Sequence, residues 1–439
     1  MRKKNFMKYI LLLSTAVFLL FVAFNCKSPT APLANNTSIT LSLADVSCTE
    51  AWLSIKAQNV SYPVSLTIKS GSKALLATNL TNTDSVIYID SLLPNQSYTL
   101  QGSFTNTNHL TTTTNSLNIQ TLDTTSNNFT WQTFTFGGNA GSCSLYDCTI
   151  VNDTLAYAVG EIYLTDSTGQ PDPQAYNFAV WNGKIWQLLK VPYVYNGLNL
   201  YGSIYSIFAL SESDIWFGIG NMIHWDGQKY LPIQMPSSVW GPNRIDKIWG
   251  DNNENFYIVG NGGSIAHYQN GQWSKIESGT NNNVTDVWGS TMNKGEIIYC
   301  VNHDQYGTNN SEIISIQNNE ATITSFNEDE IALSIWIPDK NIIYVGGGSG
   351  LFKRTNNNWE KINYKNSGYV GEIRGNASND FFISGGYGLA AHFNGSRWKV
   401  YDEISLNAGN YYSESMKGNV VILVGYNYDS AVIALGRRN

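Results

Sequence analysis

The sequence predicts an all-β protein, a small two-sheet sandwich followed by a seven-bladed β-propeller, and three observations carry the prediction. One phrase recurs seven times from residue 148 onward: a short apolar strand, a polar turn, a second apolar strand closing on glycine, then an aromatic residue before an Asn-Gly or Asp-Gly turn. A period of about 40 residues with roughly four short strands per unit is the pattern of a propeller blade. Residues 37–125 instead alternate apolar and polar positions in short runs broken by turn residues, the pattern of a sandwich. Charged residues are 13% of the 439 and aromatics another 13%, a composition without long helical periodicity that fits exported all-β proteins.

Residues 1–25 read as a signal peptide. Arg2, Lys3, Lys4 and Lys8 precede an apolar run over 9–24, and Cys26 then opens a Lys-Ser-Pro-Thr-Ala-Pro linker over 26–36. Loss of this leader leaves 22 Lys and Arg against 33 Asp and Glu, a net charge of −11. A surface so acidic argues against nucleic acid or anionic lipid as partner.

The sandwich is expected over 37–126, with strands at 38–43, 51–55, 64–68, 86–89 and 98–102. The propeller is expected over 127–439. Its clearest copy runs from Ile245 through Trp249 and Gly250 to Gly260, continuing to Trp273. Marking the end of the second strand gives Gly160, Gly220, Gly260, Val301, Gly346, Gly385 and Gly425, in steps of 60, 40, 41, 45, 39 and 40. The last copy is short, because after 420–425 only 430–435 remains as a strand. Residues 129–136 alternate as a strand without a partner of their own, so they are expected to close blade seven as its outermost strand and remove an open edge.

Chemistry-bearing residues are few. His224, His267 and His392 fall at one strand position in different blades, which separates them around the ring and favours packing beside the turn aromatics over a metal site. Cys48, Cys143, Cys148 and Cys300 have no metal-ligand spacing; Cys143 and Cys148 could form a local disulfide or remain buried thiols. Gly346 to Gly350 has neither the Lys-Ser/Thr of a phosphate loop nor the spacing of a nucleophile elbow. No pattern calls for a metal or a cofactor.

Two sets of residues vary between blades. Asp147, Ser206, Lys247, Asp286, Ser334 and Glu372 align just inside the first strand of their blades and are expected to line the central channel. Asp147, Asp286 and Glu372 could supply an acid and a base to a glycosidase, but they belong to blades one, four and six and are expected apart, as solvated lining. The loops joining strands two and three, and each blade to the next, share one face and are rich in tyrosine. Tyr193, Tyr195, Tyr201, Trp240 and Tyr306 are the expected ligand-binding platform, resting on the insertion over 161–175 and the long connector over 192–202.

Three resemblances add to this. The leader and Cys26 resemble a bacterial lipoprotein signal, which implies acylation at Cys26 and an envelope location, outer membrane by preference, facing the periplasm or the surface. Ala23 and Asn25 depart from the family's Leu and small residue, leaving ordinary cleavage or an uncleaved anchor as alternatives. Trp52 in the second strand and Leu92-Leu-Pro-Asn-Gln-Ser-Tyr98 resemble the buried Trp and tyrosine corner of fibronectin type III domains, which implies a spacer or adhesion module with Trp52 and Tyr98 buried. Residues 131–439 resemble uncharacterised secreted bacterial propellers whose blades carry Trp-Gly and Val-Gly pairs, as at Val287-Trp-Gly289, Tyr344-Val-Gly346 and Phe382-Ile-Ser-Gly385; the Asp-box of sialidases is missing from the Asn-Gly turns. The function expected is a non-enzymatic envelope lipoprotein that binds protein or glycan through the propeller's loop face. A propeller glycoside hydrolase or polysaccharide lyase, and a structural assembly factor for an envelope complex, are the alternatives.

Overall fold

The structure, a computed structural model, describes residues 37–105, 110–195, 197–290, 297–304, 311–326, 330–339, 341–355, 358–364 and 368–439. The leader, Cys26 and Tyr306 lie outside these residues. Two compact units are distinguished: one takes 37–44, Leu53–Ile89 and Tyr98–Ile119, the other Asp45–Trp52, Asp90–Ser97 and 120–439.

The N-terminal strands form two sheets. Ser38–Val46, Ala51–Gln58 and Asp84–Ile89 make a three-stranded sheet in that order, and Lys73–Leu80, Val64–Ser70, Ser97–Thr105 and Thr111–Gln120 a four-stranded one. Burial alternates along Val64–Ser70, with Val64, Leu66 and Ile68 inside, as period-two patterning requires of a strand with one wet face. Trp52 is buried, but Tyr98 is only half-buried: it shares the inward face of its strand with Leu100, Gly102 and Phe104 but stands at the strand's beginning, where that face is less covered.

The second unit contains seven four-stranded sheets in a ring. Their first, innermost strands are Ser144–Asn152, Ser206–Ser211, Ile245–Asn252, Asn283–Ser290, Ala332–Asp339, Val370–Ala377 and Gly409–Lys417. Each packs against the next, and the seventh against the first, so the ring is closed. The repeated glycine has a steric cause: a Cβ on Gly260 would lie 1.9 Å from the Arg244 carbonyl oxygen, and one on Gly425 1.9 Å from that of Asn410. Strand pairing places the equivalent residue at Asn302 in blade four and Gly347 in blade five, one position beyond Val301 and Gly346, while in blade two the strand ends at Gly218 and a Cβ on Gly220 would meet nothing within 4 Å.

Six inner strands share a second irregularity. Pairing to the neighbouring strand skips one residue at Tyr146, Asp246, Thr285, Leu333, Gly371 and Tyr412. Each skipped residue is a β-bulge placed directly before a polar axial residue: Asp147, Lys247, Asp286, Ser334 and Glu372, which the sequence marks as axial, and Ser413, which it does not. A bulge leaves one residue unpaired and re-aims its side chain.

Blade seven is built from both ends of this unit, in the order Gly409–Lys417, Val420–Asn427, Ser430–Arg438, Phe129–Gly137. The last two pair antiparallel along their whole length, from Phe129 with Arg438 to Gly137 with Ser430, as the alternation in 129–136 leads one to expect. Phe129 meets Phe382 edge-on at 5.1 Å and Trp131 meets Tyr401 at 5.1 Å, on the blade-six side, while Phe134 reaches Trp181 of blade one at 5.6 Å. The closing strand therefore joins three blades. Phe129→Ala should lower the propeller's stability by about 3 to 5 kcal/mol, the usual cost of a large core truncation, and urea denaturation followed by tryptophan fluorescence measures it.

Candidate functional site

The polar positions of the inner strands converge on the axis. Lys247 Nζ lies 2.8 Å from Asp147 Oδ1 and 2.7 Å from Glu372 Oε1. Arg374 Nη2 lies 2.7 Å from Asp286 Oδ1 and 2.6 Å from the same Glu372 oxygen. The result is one chain, Asp147, Lys247, Glu372, Arg374, Asp286, drawn from blades one, three, six and four. Expectation and structure differ here: the carboxylates are buried and linked through two cations, where separated, solvated groups were expected. The ring brings residues of distant blades within one side chain's reach of the axis, and burial then requires that their charges be paired.

Neighbouring groups complete the belt. Ser413 and Ser334 donate hydroxyls to Asp147 and Asp286, each at 2.8 Å. Backbone N–H groups of the adjoining blades also point at these carboxylates: Ile207 donates to Asp147 at 3.0 Å, Ile335 to Asp286 at 2.8 Å, and Arg374 to Glu414 at 2.8 Å. Ser206 is buried but stands apart from the ionic chain, donating to the Ile245 carbonyl at 3.2 Å. Burial alone would lower the Lys247 ammonium, yet Asp147 and Glu372 outweigh it and hold its pKa above the ordinary value. Burial raises Glu372 despite Arg374 and Lys247, and it pushes Glu414 well up, with Glu372 adding to the effect.

The belt divides the axis into two cavities. On the loop face a space of ≈ 340 Å³ is walled by the bulged residues Tyr146, Asp246, Thr285, Leu333, Gly371 and Tyr412, with Tyr369 beside them and Lys247, Asp286 and Glu372 beneath. On the other side a space of ≈ 200 Å³ is lined by Phe208, Trp249, Trp288 and Met416 as well as the belt. The Arg374 guanidinium lies 4.7 Å from the centre of the Trp288 ring. Tyrosines stack around the first mouth: Tyr205 on Tyr146 at 5.2 Å, Tyr146 on Tyr412 at 6.0 Å, Tyr412 against Tyr426 at 5.3 Å. Arg244 lies over the far face of this column, 4.7 Å from the Tyr205 centroid, and pairs with Asp246 Oδ1 at 2.5 Å. The other Asp246 oxygen is buried with no hydrogen-bond partner among the described residues, and burial raises its pKa. Partial desolvation, with Tyr426 adding to it, pushes the Tyr412 phenol up to about 12.

The expected platform is not assembled as such. Trp240 is only 4% exposed, packed in the core with Trp216, Met235 and Phe256, its indole N–H donating to the Asn243 carbonyl at 2.9 Å. The connector that carries it folds under, because a large aromatic gains more from burial than from solvent. Tyr193 and Tyr201 are half-buried; Tyr193 and Tyr195 stand in a two-stranded hairpin with Leu198–Leu200. Among the described residues the exposed tyrosines are Tyr387, Tyr412 and Tyr428, in blades six and seven.

Arg374, Ser413 and Glu414 belong to the belt but were not among the expected residues. Arg374 had a signal, since it stands where blades three, four and five carry Trp249, Trp288 and Trp336. The histidines are structural and separate: His224 bonds Asp214 at 2.8 Å, His267 bonds Asn255 at 2.7 Å, His392 bonds Asp380 at 2.8 Å. All four cysteines of the described residues are buried free thiols, so Cys143 and Cys148 form no disulfide.

The ring of seven four-stranded sheets defines a β-propeller. In fold the chain is similar to the structure of YCF48 bound to D1 peptide, with TM-score 0.52 and 13% identity over 70% of this chain and 95% of that one. The computationally designed protein Ika8 (TM-score 0.42, 10% identity, 68% and 98% covered) and the C-terminal WD40 domain of Sif2 (0.42, 11%, 67% and 96%) also match. No protein-family model matches the sequence, and no curated protein matches it significantly.

Removing one cation from a buried ionic chain leaves its partners uncompensated. Lys247→Met should therefore cost the propeller about 3 to 5 kcal/mol in urea denaturation. Adding Asp147→Asn and Glu372→Gln should restore most of the loss.

Proposed function

We propose that this chain is a non-enzymatic envelope protein whose propeller binds a partner protein through the loop face at the tyrosine-lined mouth. The observation that carries the reading is the state of the axial carboxylates. Asp147, Asp286 and Glu372 are each held by Lys247 or Arg374, whereas a glycoside hydrolase needs one carboxyl free to donate a proton and another free to attack or activate water. That arrangement suits a scaffold better than a hydrolase or lyase. The peptide held by YCF48, a protein of similar fold, supports protein over glycan as the ligand class, and it keeps an assembly role for an envelope complex within the same reading.

The remaining parts serve display. Residues 37–126 act as a fibronectin type III-like spacer, supported by Trp52 and by sheets of three and four strands. Residues 1–25 direct export and Cys26 carries the lipid, anchoring the protein at the envelope, by preference the outer membrane.

Cross-linking in producing cells, with photoreactive groups placed on the loop face and on the opposite face of the full chain, tests the binding reading. Protein adducts from the loop face alone are expected. Adducts from neither face, or release of reducing ends from envelope polysaccharide by the purified protein, would overturn it. Metabolic labelling with a clickable fatty acid should tag the wild type and leave Cys26→Ser unlabelled; equal labelling of both would remove the anchor.

A further inference from the structure

Tyr387 and Tyr428 occupy the turns between the second and third strands of blades six and seven. Their φ angles are +55° and +54°, a left-handed backbone that a bulky side chain adopts only at a cost and that glycine adopts freely. Blade three meets the same requirement with Gly262 and Gly263. The two tyrosine rings are 77% and 65% exposed, and neither stacks on another ring of the described residues. An exposed side chain contributes little to packing, so strain retained at two adjacent blades points to a use outside the fold.

These turns are continuous with the mouth. Asn410 accepts the Tyr387 N–H at 3.2 Å and donates to the Tyr426 hydroxyl at 3.1 Å. Tyr426 lies against Tyr412, which walls the cavity above the belt. In an antiparallel four-stranded blade the second-to-third turns and the blade-to-blade connectors emerge at one end, so this sector is one surface. Its segments 386–389, 401–412, 426–430, 137–146 and 160–163 contain Glu161, Asp402, Glu403 and Asp429 and no Lys or Arg.

We infer that this acidic, tyrosine-bearing sector takes an extended arginine-containing segment of the partner protein, with guanidinium groups stacked on the open faces of Tyr387 and Tyr428. Complementary charge selects the partner, and the aromatic faces select guanidinium over ammonium because it is planar and weakly hydrated. The molecule already contains one such pair, Arg244 over Tyr205 with Asp246 as its carboxylate. The inference rests on the protein-binding reading and specifies what the partner brings.

Fluorescence anisotropy on the full chain tests it, with a labelled peptide of three Gly-Arg-Ser units and an analogue carrying citrulline in place of arginine. The arginine peptide should bind and the citrulline peptide should bind about tenfold or more weakly. The double variant Tyr387→Gly with Tyr428→Gly should lose about tenfold in affinity while its melting temperature stays level or rises, since glycine relieves the backbone. Arginine-peptide binding that survives the double variant, or equal binding of the two peptides, overturns the inference and leaves protein binding by the propeller standing. Absence of binding to either peptide also overturns it, and the cross-linking experiment then decides the broader reading independently.

Discussion

Seven strands that converge on one axis each present an inner edge with no strand left to pair with, and the rest of this molecule depends on how those edges are satisfied. The belt does so with side chains. Asp147, Asp286 and Glu414 accept N–H groups from the inner strands of neighbouring blades, and Lys247 and Arg374 neutralise the carboxylates that this brings into a dry interior. A buried carboxylate without a cation is costly, and so is a buried edge without acceptors. Neither half of the arrangement is stable without the other, which makes the axis a cooperative joint between blades and a poor place for acid–base chemistry.

The bulges extend this logic outward. Ordinary strand geometry sends successive side chains to opposite faces, so one residue per inner strand would face the axis. The skipped residues Tyr146, Asp246, Thr285, Leu333, Gly371 and Tyr412 add a second tier. The lower tier, charged residues and the serines Ser334 and Ser413, holds the ring together. The upper tier differs from blade to blade and walls the mouth, where variation can select a ligand without disturbing closure.

Much of the fold was legible because the repeat is long, strict and marked by residues with a steric reason, as at Gly260 and Gly425. The closing strand was legible from a shortage, a final blade one strand short and an alternating segment without a partner. The belt was only half legible: alignment of the blades marks Asp147, Lys247, Asp286 and Glu372, but their pairing spans 125 positions between Lys247 and Glu372 and follows from ring closure alone. Arg374 hides in a position that reads as part of a Trp-Gly motif. Trp240 misleads because a loop aromatic looks exposed in sequence, and its burial is decided by neighbours such as Trp216 and Phe256. Tyr387 stands between two glycines, so its turn reads as flexible, and only the backbone angle shows that the tyrosine occupies a place suited to glycine.

The pairing of Phe129–Gly137 with Ser430–Arg438 has a consequence for synthesis. A chain emerging vectorially offers its two N-terminal sheets early and then six blades in order, each with local hairpin contacts that form without waiting. Residues 129–137, made before the six blades, have no strand to join until 430–438 appear some 300 positions later. For that interval Phe129, Trp131 and Phe134 are an apolar strand with a free edge, open to the wrong neighbour or to another copy. The step of folding most exposed to chaperones and proteases is therefore the meeting of the propeller's first strand with its last.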